Sequence, residues 1–212
     1  ASIHQDRALV RGHAMALVDL PDAEYQKDLY MICVHFKSKG GDVNIALRQH
    51  HADALVNWIR DIKTPGGKID LPTRTPFMIL GDLNVYDTDP AHHLTTLITG
   101  DIVNEDKYGP DLMPDWDDTP LTDALPRHNG TGEDTYTWRD DSQRFNPGAL
   151  DRIIYSDSVI SVDNAFVLDT TIMTQEELDA AGLEANDVML DPGAGNYDHL
   201  PLVVDITFHD TQ

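Results

Sequence analysis

One cysteine, Cys33, stands in the 212 residues. A single thiol excludes an internal disulfide framework and a multi-cysteine zinc site. Its place inside the apolar run LYMICVHF predicts a buried side chain. Long apolar runs are missing too: no segment approaches the roughly 18 consecutive apolar residues of a membrane span, so none is expected. Cations are scarce. Fifteen Lys and Arg stand against 37 Asp and Glu, for a net charge of -22, and a field of that sign repels polyanions. Composition therefore disfavours a strong nucleic-acid binder. The bulk charge reads as a solvated acidic surface, suited to a medium whose salt screens it; the compartment is left open, with a secreted or periplasmic setting favoured over others.

What is present is a mixture of strand and helix signals without internal repeats. Residues 13–20 (HAMALVDL) and 29–36 (LYMICVHF) read as two antiparallel strands joined by an acidic connection. From Gly41 to Lys63 apolar residues recur at Ile45, Ala52, Leu55, Val56, Ile59 and Ile62, one face of a helix. A buried strand enters past Pro76 and ends at Gly81. Asp89-Pro90 is expected to open a short helix through Leu94 and Ile98. Residues 101–134 read as loop, with at most a short helix near Thr119 to Leu125. Strands are expected at 135–138, 149–156 and 200–208, and between the last two lies an insertion whose helix is capped by Thr174 with Glu177 three residues on. This succession predicts a single domain with a mixed α/β sandwich.

The stretch FMILGDLN drives an apolar run into Gly81 and then presents Asp82 and Asn84, two residues apart and so projecting toward the same side. Polar groups at the tip of a buried strand suit a site that binds something. Other strands end alike. Asp151 opens the strand in GALDRIIYS, Asp198 and His199 precede the strand in NYDHLPLVVDI, and His35 lies in ICVHFKSKGG with Lys37 and Ser38 at its exit. Such groups could orient a water and spread charge from phosphoryl oxygens, and a hard divalent cation would suit their oxygen ligands.

In order and spacing, strand-H-x-K-S, strand-G-D-x-N, Y-T-W, L-D-R-I-I-Y-S and D-H-x-P-L resemble the endonuclease/exonuclease/phosphatase superfamily, from about Arg11 to Phe208. The resemblance implies a deoxyribonuclease I-like, four-layer α/β/β/α sandwich and metal-dependent phosphoester hydrolysis with Mg²⁺, or Mn²⁺ or Ca²⁺. It implies that Asp198 orients His199, which lies against the scissile phosphate. It makes Asp82 the residue that activates water and Asn84 a hydrogen-bond donor to phosphate. His35 would contact the phosphoryl oxygens, and Asp151 would be a supporting or metal-site carboxylate. Asp82, Asn84 and Asp198 would be metal ligands, while Arg11 and Trp138 would bind substrate, Trp138 by stacking on a base.

The sequence also departs from that family. The Asn-bearing first strand and the metal-binding Glu that follows it have no counterpart here, and none of the six glutamates (24, 105, 133, 176, 177 and 184) stands in a matching context. The expectation is a domain truncated at its N-terminus, lacking its principal metal carboxylate, with sheet surface left open for self-association. An extracellular nuclease acting on DNA or RNA leads among the implied substrates, followed by hydrolases of lipid headgroups or small phosphoesters. The rivals are a non-catalytic binding module that keeps the fold and a calcium-binding acidic surface protein. The latter predicts D-x-D-x-D-G loops, which DTDPAHH and PDWDDTP do not supply. His50 and His51 are expected at the surface or in capping roles, with His92 or His93 nearer the site.

Overall fold

The computed structural model describes residues 12–86, 92–140, 146–188 and 198–209. Arg11, Asp89, Pro90 and Tyr197 lie outside them. The first sheet is formed by β1 (Ala14–Val18), β2 (Leu29–His35), β3 (Phe77–Asp82), β6 (Asp151–Tyr155) and β4 (Thr122–Asp123), adjacent in that order. β2 and β3 are parallel and the other neighbours antiparallel. The second sheet orders β5 (Arg127–His128), β7 (Ile160–Val167) and β8 (Leu202–Phe208).

One face of the first sheet carries the long helix α1 (Asp42–Lys63) and the shorter α2 (His92–Thr99). Tyr30, Ile32, Val34, Phe77 and Ile79 bury against Ala52, Leu55, Ile59 and Ile62 of α1, which is the helical period read from the sequence. The other face meets the second sheet through Leu29, Met78, Ile153, Tyr155 and Ile160. Helices, first sheet and second sheet are thus stacked in the order the mixed α/β sandwich requires. The inter-sheet layer closes less completely than the helix side: Val18, Met31, Leu80, Val204 and Ile206 pack into it only half-buried.

α1 is joined to the later chain by a buried carboxylate. Asp53, fully buried, accepts from the backbone N–H of Val103 (3.1 Å) and of Asn104 (3.0 Å) and from Gln49. Such bonds offset the cost of burying charge. Asn104 in turn caps the short α3 (Glu105–Tyr108).

Several expectations change. The segment 135–138 is not a strand: Trp138 alone bridges, to Gly148 and to His199. The helix expected near Thr119 to Leu125 is instead the edge strand β4, and the supposed insertion after residue 156 contains β7, hidden because a register shift between Val162 and Asn164 breaks its alternation. The helix of that segment, α4 (Gln175–Ala181), has the reciprocal Thr174–Glu177 capping box. Cys33 is exposed, since it projects from the face opposite α1 and lies outside the inter-sheet core. His51 is fully buried, with its Nδ1 2.8 Å from Nε2 of a buried His13, beside the Phe36 ring.

Two tests follow from this packing. Burial depresses His13 from 6.5 to about 4. Protonation therefore favours the unfolded chain, so stability is full above the unfolded value and declines as pH falls from there through the folded value. That shift is worth about 3 kcal/mol, and His13→Leu should flatten this acid limb in urea unfolding measured across pH; an unchanged limb contradicts the assignment. At Gly81, φ is +126° and a Cβ would stand 2.1 Å from the Val34 carbonyl oxygen. Gly81→Ala should cost more than about 3 kcal/mol, whereas Gly130→Ala, at positive φ with open space around it, should cost about 1 kcal/mol. Equal costs would refute the close approach.

Candidate active site

Strand register builds the site. His35 pairs with Asp82 across β2 and β3, and Asp82 pairs with Asp151 across β3 and β6. Three ionisable side chains thus occupy one cross-strand row, with neighbouring strands about 4.8 Å apart. His35 Nε2 lies 3.3 Å from Asp82 Oδ2. Beyond the row, Asp151 Oδ2 is 2.6 Å from His199 Nδ1 and also accepts from the Thr137 hydroxyl at 2.6 Å. Thr137 is fixed in turn, because its backbone carbonyl accepts from Leu200 N–H at 2.7 Å. This strap carries His199 back to the first sheet.

The tip of β3 is equally determined. Past Gly81 the chain turns, and Asn84 adopts a left-handed conformation with φ 51°, which asparagine tolerates better than most residues. Its backbone N–H donates to Asp82 Oδ1 (2.8 Å), and its side-chain amide donates to Asp82 Oδ2 (2.7 Å) and to the Phe36 carbonyl (3.2 Å). Its Oδ1 accepts from the Tyr86 hydroxyl at 2.8 Å.

These groups open onto a cleft of about 880 Å³, lined by His35, Lys39, Asp82, Trp138, Asp198 and His199 together with the apolar Ile45 and Leu150. Burial, then the Asp151 charge, raises Asp82 above the usual carboxylate range, against the opposing Asn84 hydrogen bond and the two histidines. For His199, burial acts downward, but the hydrogen bond and charge of Asp151, with Asp82 and Asp198, outweigh it and raise the imidazole. The site therefore holds a carboxylate biased toward accepting a proton and an imidazole biased toward keeping one.

The structure brings together His35, Asp82, Asn84, Asp151, Trp138, Asp198 and His199; Arg11 falls outside the described residues. Three roles implied by the resemblance change. Asp151, not Asp198, is the hydrogen-bonded partner of His199, because β6 places it beside the ring while Asp198 is exposed. Asn84, which lines the cleft, is 2% exposed, and both its amide hydrogens are engaged inside the protein, so in this structure it holds Asp82 instead of presenting a free donor. Nor do Asp82, Asn84 and Asp198 form an ion cage. Among the described residues no three His, Cys, Asp or Glu are grouped to hold a metal, and the Asn84 side-chain oxygen is turned to the Tyr86 hydroxyl. The residues present do not by themselves fit a divalent cation.

Sequence reasoning missed Thr137 and Tyr86, whose hydroxyls fix Asp151 and Asn84. Tyr86 was signalled by its place two residues beyond Asn84. Thr137 had no signal apart from lying in the Y-T-W motif.

No family model matches the sequence, and no curated protein does. Solved structures do match. The mannosyl-6-phosphatase of Bacteroides thetaiotaomicron VPI-5482 is 14% identical, covers 94% of this chain and 59% of its own, and gives a TM-score of 0.51. The endonuclease/exonuclease/phosphatase from Bacteroides vulgatus is 18% identical, covering 95% of this chain and 58% of its own, with a TM-score of 0.50. The chain has the endonuclease/exonuclease/phosphatase fold. It spans less than two thirds of the length of both structures.

The partner of His199 is open to direct test. In Asp151→Asn the His199 imidazole, followed by NMR titration, should lose its upward shift, whereas Asp198→Asn should lower it less. A larger fall in the Asp198 variant would overturn the assignment.

Proposed function

We propose that the whole domain hydrolyses phosphoester bonds in this cleft. The observation that supports the reading most is the His35–Asp82–Asp151 row with Asp151 clamped onto His199. Asp82, held by Asn84 and raised in pKa, takes the proton of an attacking water. The water oxygen bonds to phosphorus as the ester P–O bond breaks, and the leaving oxygen departs with the bond's electron pair and takes a proton from solvent. Protonated His199, oriented through Nδ1 by Asp151, donates from Nε2 to the non-bridging oxygens where negative charge is concentrated. His35 at the rim contacts the same oxygens. Trp138 and Tyr86 give the remainder of the substrate a flat, apolar wall.

The net charge of -22 and a cleft whose lining includes Ile45, Leu150 and Trp138 favour small phosphoesters over polymeric DNA or RNA. A phosphatase among the structures with this fold provides a precedent for such a substrate. The half-closed inter-sheet layer is the surface on which we place the remainder of the domain, or a second copy. A second reading, a non-catalytic binding module, draws on the incomplete cation site.

Hydrolysis of bis-(p-nitrophenyl) phosphate and of plasmid DNA by the whole protein, with Mg²⁺ and with EDTA, separates these readings. Turnover of the small ester, reduced by more than about 100-fold in both Asp82→Ala and His199→Ala, supports the enzyme; no turnover of either substrate supports the binding module. The pH profile of kcat/KM should be bell-shaped. Its acid limb, from Asp82, should lie above the usual carboxylate range, and its alkaline limb, from His199, above the usual imidazole range.

A further inference from the structure

A second cavity, of about 260 Å³, lies at the other end of β3. It is lined by Pro76, which precedes that strand, whereas Asp82 is the strand's last residue. Roughly 20 Å of strand therefore separates it from the cleft described above. Its walls come from the turn before β2, the loop before β3 and the end of β8, and its ionisable groups are Lys27, Arg74, His209 and Glu24.

In so acidic a chain, two cations side by side would be expected to meet carboxylates, and these do not. Lys27 Nζ donates to the Thr73 carbonyl at 2.7 Å, and Arg74 Nη2 to the Ser158 carbonyl at 2.9 Å. Neither forms an ion pair among the described residues. Neutral carbonyls position both heads without cancelling their charge, and Arg74 retains further N–H donors in its planar fork. Arg74 is held at φ 64°, a strained conformation for a residue with a side chain, which persists where surrounding bonds enforce it. His209 stands against Ser161 Oγ at 2.5 Å. Beside the cations, the rings of Tyr25 and Phe208 meet edge to face with centroids 5.8 Å apart.

We propose that this cavity is a binding site for a small phosphate-bearing molecule, with the phosphate on Lys27 and Arg74 and an attached flat group against Tyr25 and Phe208. Doubly charged oxyanions suit a guanidinium fork beside an ammonium better than carboxylates do, and the volume admits a small molecule but not a polymer. Burial and the neighbouring Arg74 lower the Lys27 pKa, and an anion between the two cations would relieve their repulsion. Glu24, exposed at the rim, is the one carboxylate among the described residues that line the cavity, and it weakens anion binding by repulsion. The proposal does not rest on the catalytic reading.

The test is an amide NMR titration of the full chain with inorganic phosphate and with phenylphosphonate, which cannot be hydrolysed. Shifts should concentrate at Lys27, Thr207 and Phe208, with millimolar affinity and phenylphosphonate the tighter of the two. Lys27→Met should weaken both by about tenfold, Arg74→Asn should do the same, and Glu24→Gln should tighten both. Shifts confined to His35 and His199 would overturn the proposal, as would no saturable shift at all or an affinity unchanged by Lys27→Met. Because the location is read in the unsubstituted chain, a variant that fails to fold leaves the test decisive.

Discussion

The contact on which the rest depends is a missing side chain. Where β2 and β3 run side by side, the Val34 carbonyl occupies the space a Cβ on residue 81 would fill. Only glycine lets the two strands remain in register to their ends. With that register, His35 stands opposite Asp82, and the turn after Gly81 lets Asn84 fold back and donate twice to the same carboxylate. A helix-covered sheet supplies the rigid base beneath this geometry, as precise positioning of reacting groups requires.

The chemistry proposed for the cleft follows from opposed environments for neighbouring groups. Asp82 is half withdrawn from water and faces another carboxylate, so it resists ionisation; His199 is flanked by acids, so it resists losing its proton. Pairs of titratable groups pushed apart in this way are a recurring basis for assigning acid and base roles. The same acidic surroundings that favour an imidazolium at His199 work against a long polyanionic substrate. The incomplete cation site is consistent with this: Asn84 is bonded to Asp82 and to Tyr86, and no carboxylate cage stands among the described residues.

Much of the fold was legible in the sequence where one physical rule dominates. The 3.6-residue period of α1, the apolar run closed by Gly81 and the Thr174 capping box each declare themselves locally. β4 and β5 could not, since strands of two residues carry no period, and β7 could not because its bulge at Val162 to Asn164 shifts the alternation. The site divided in the same way. Residues announced by their position at strand ends did converge on the cleft, but their roles depended on partners far away in sequence. Asp151 and His199 are 48 residues apart, and Asp198, adjacent to His199, was the natural partner from sequence alone. Only the pairing of β6 with β3, and the Thr137–Leu200 strap, reverses that choice. His51 was misplaced for a similar reason, since a helix period cannot show that a histidine on the edge of the apolar face meets a second buried histidine.

The most direct test of the central claim, that these converging groups bind a phosphoester together, is to follow the ¹⁵N-labelled imidazoles of His35 and His199 while a phosphorothioate diester is titrated into the protein. The account predicts that both rings shift along one saturation curve with a single Kd. Independent curves, or a diester that saturates the protein while both rings stay unmoved, would contradict it.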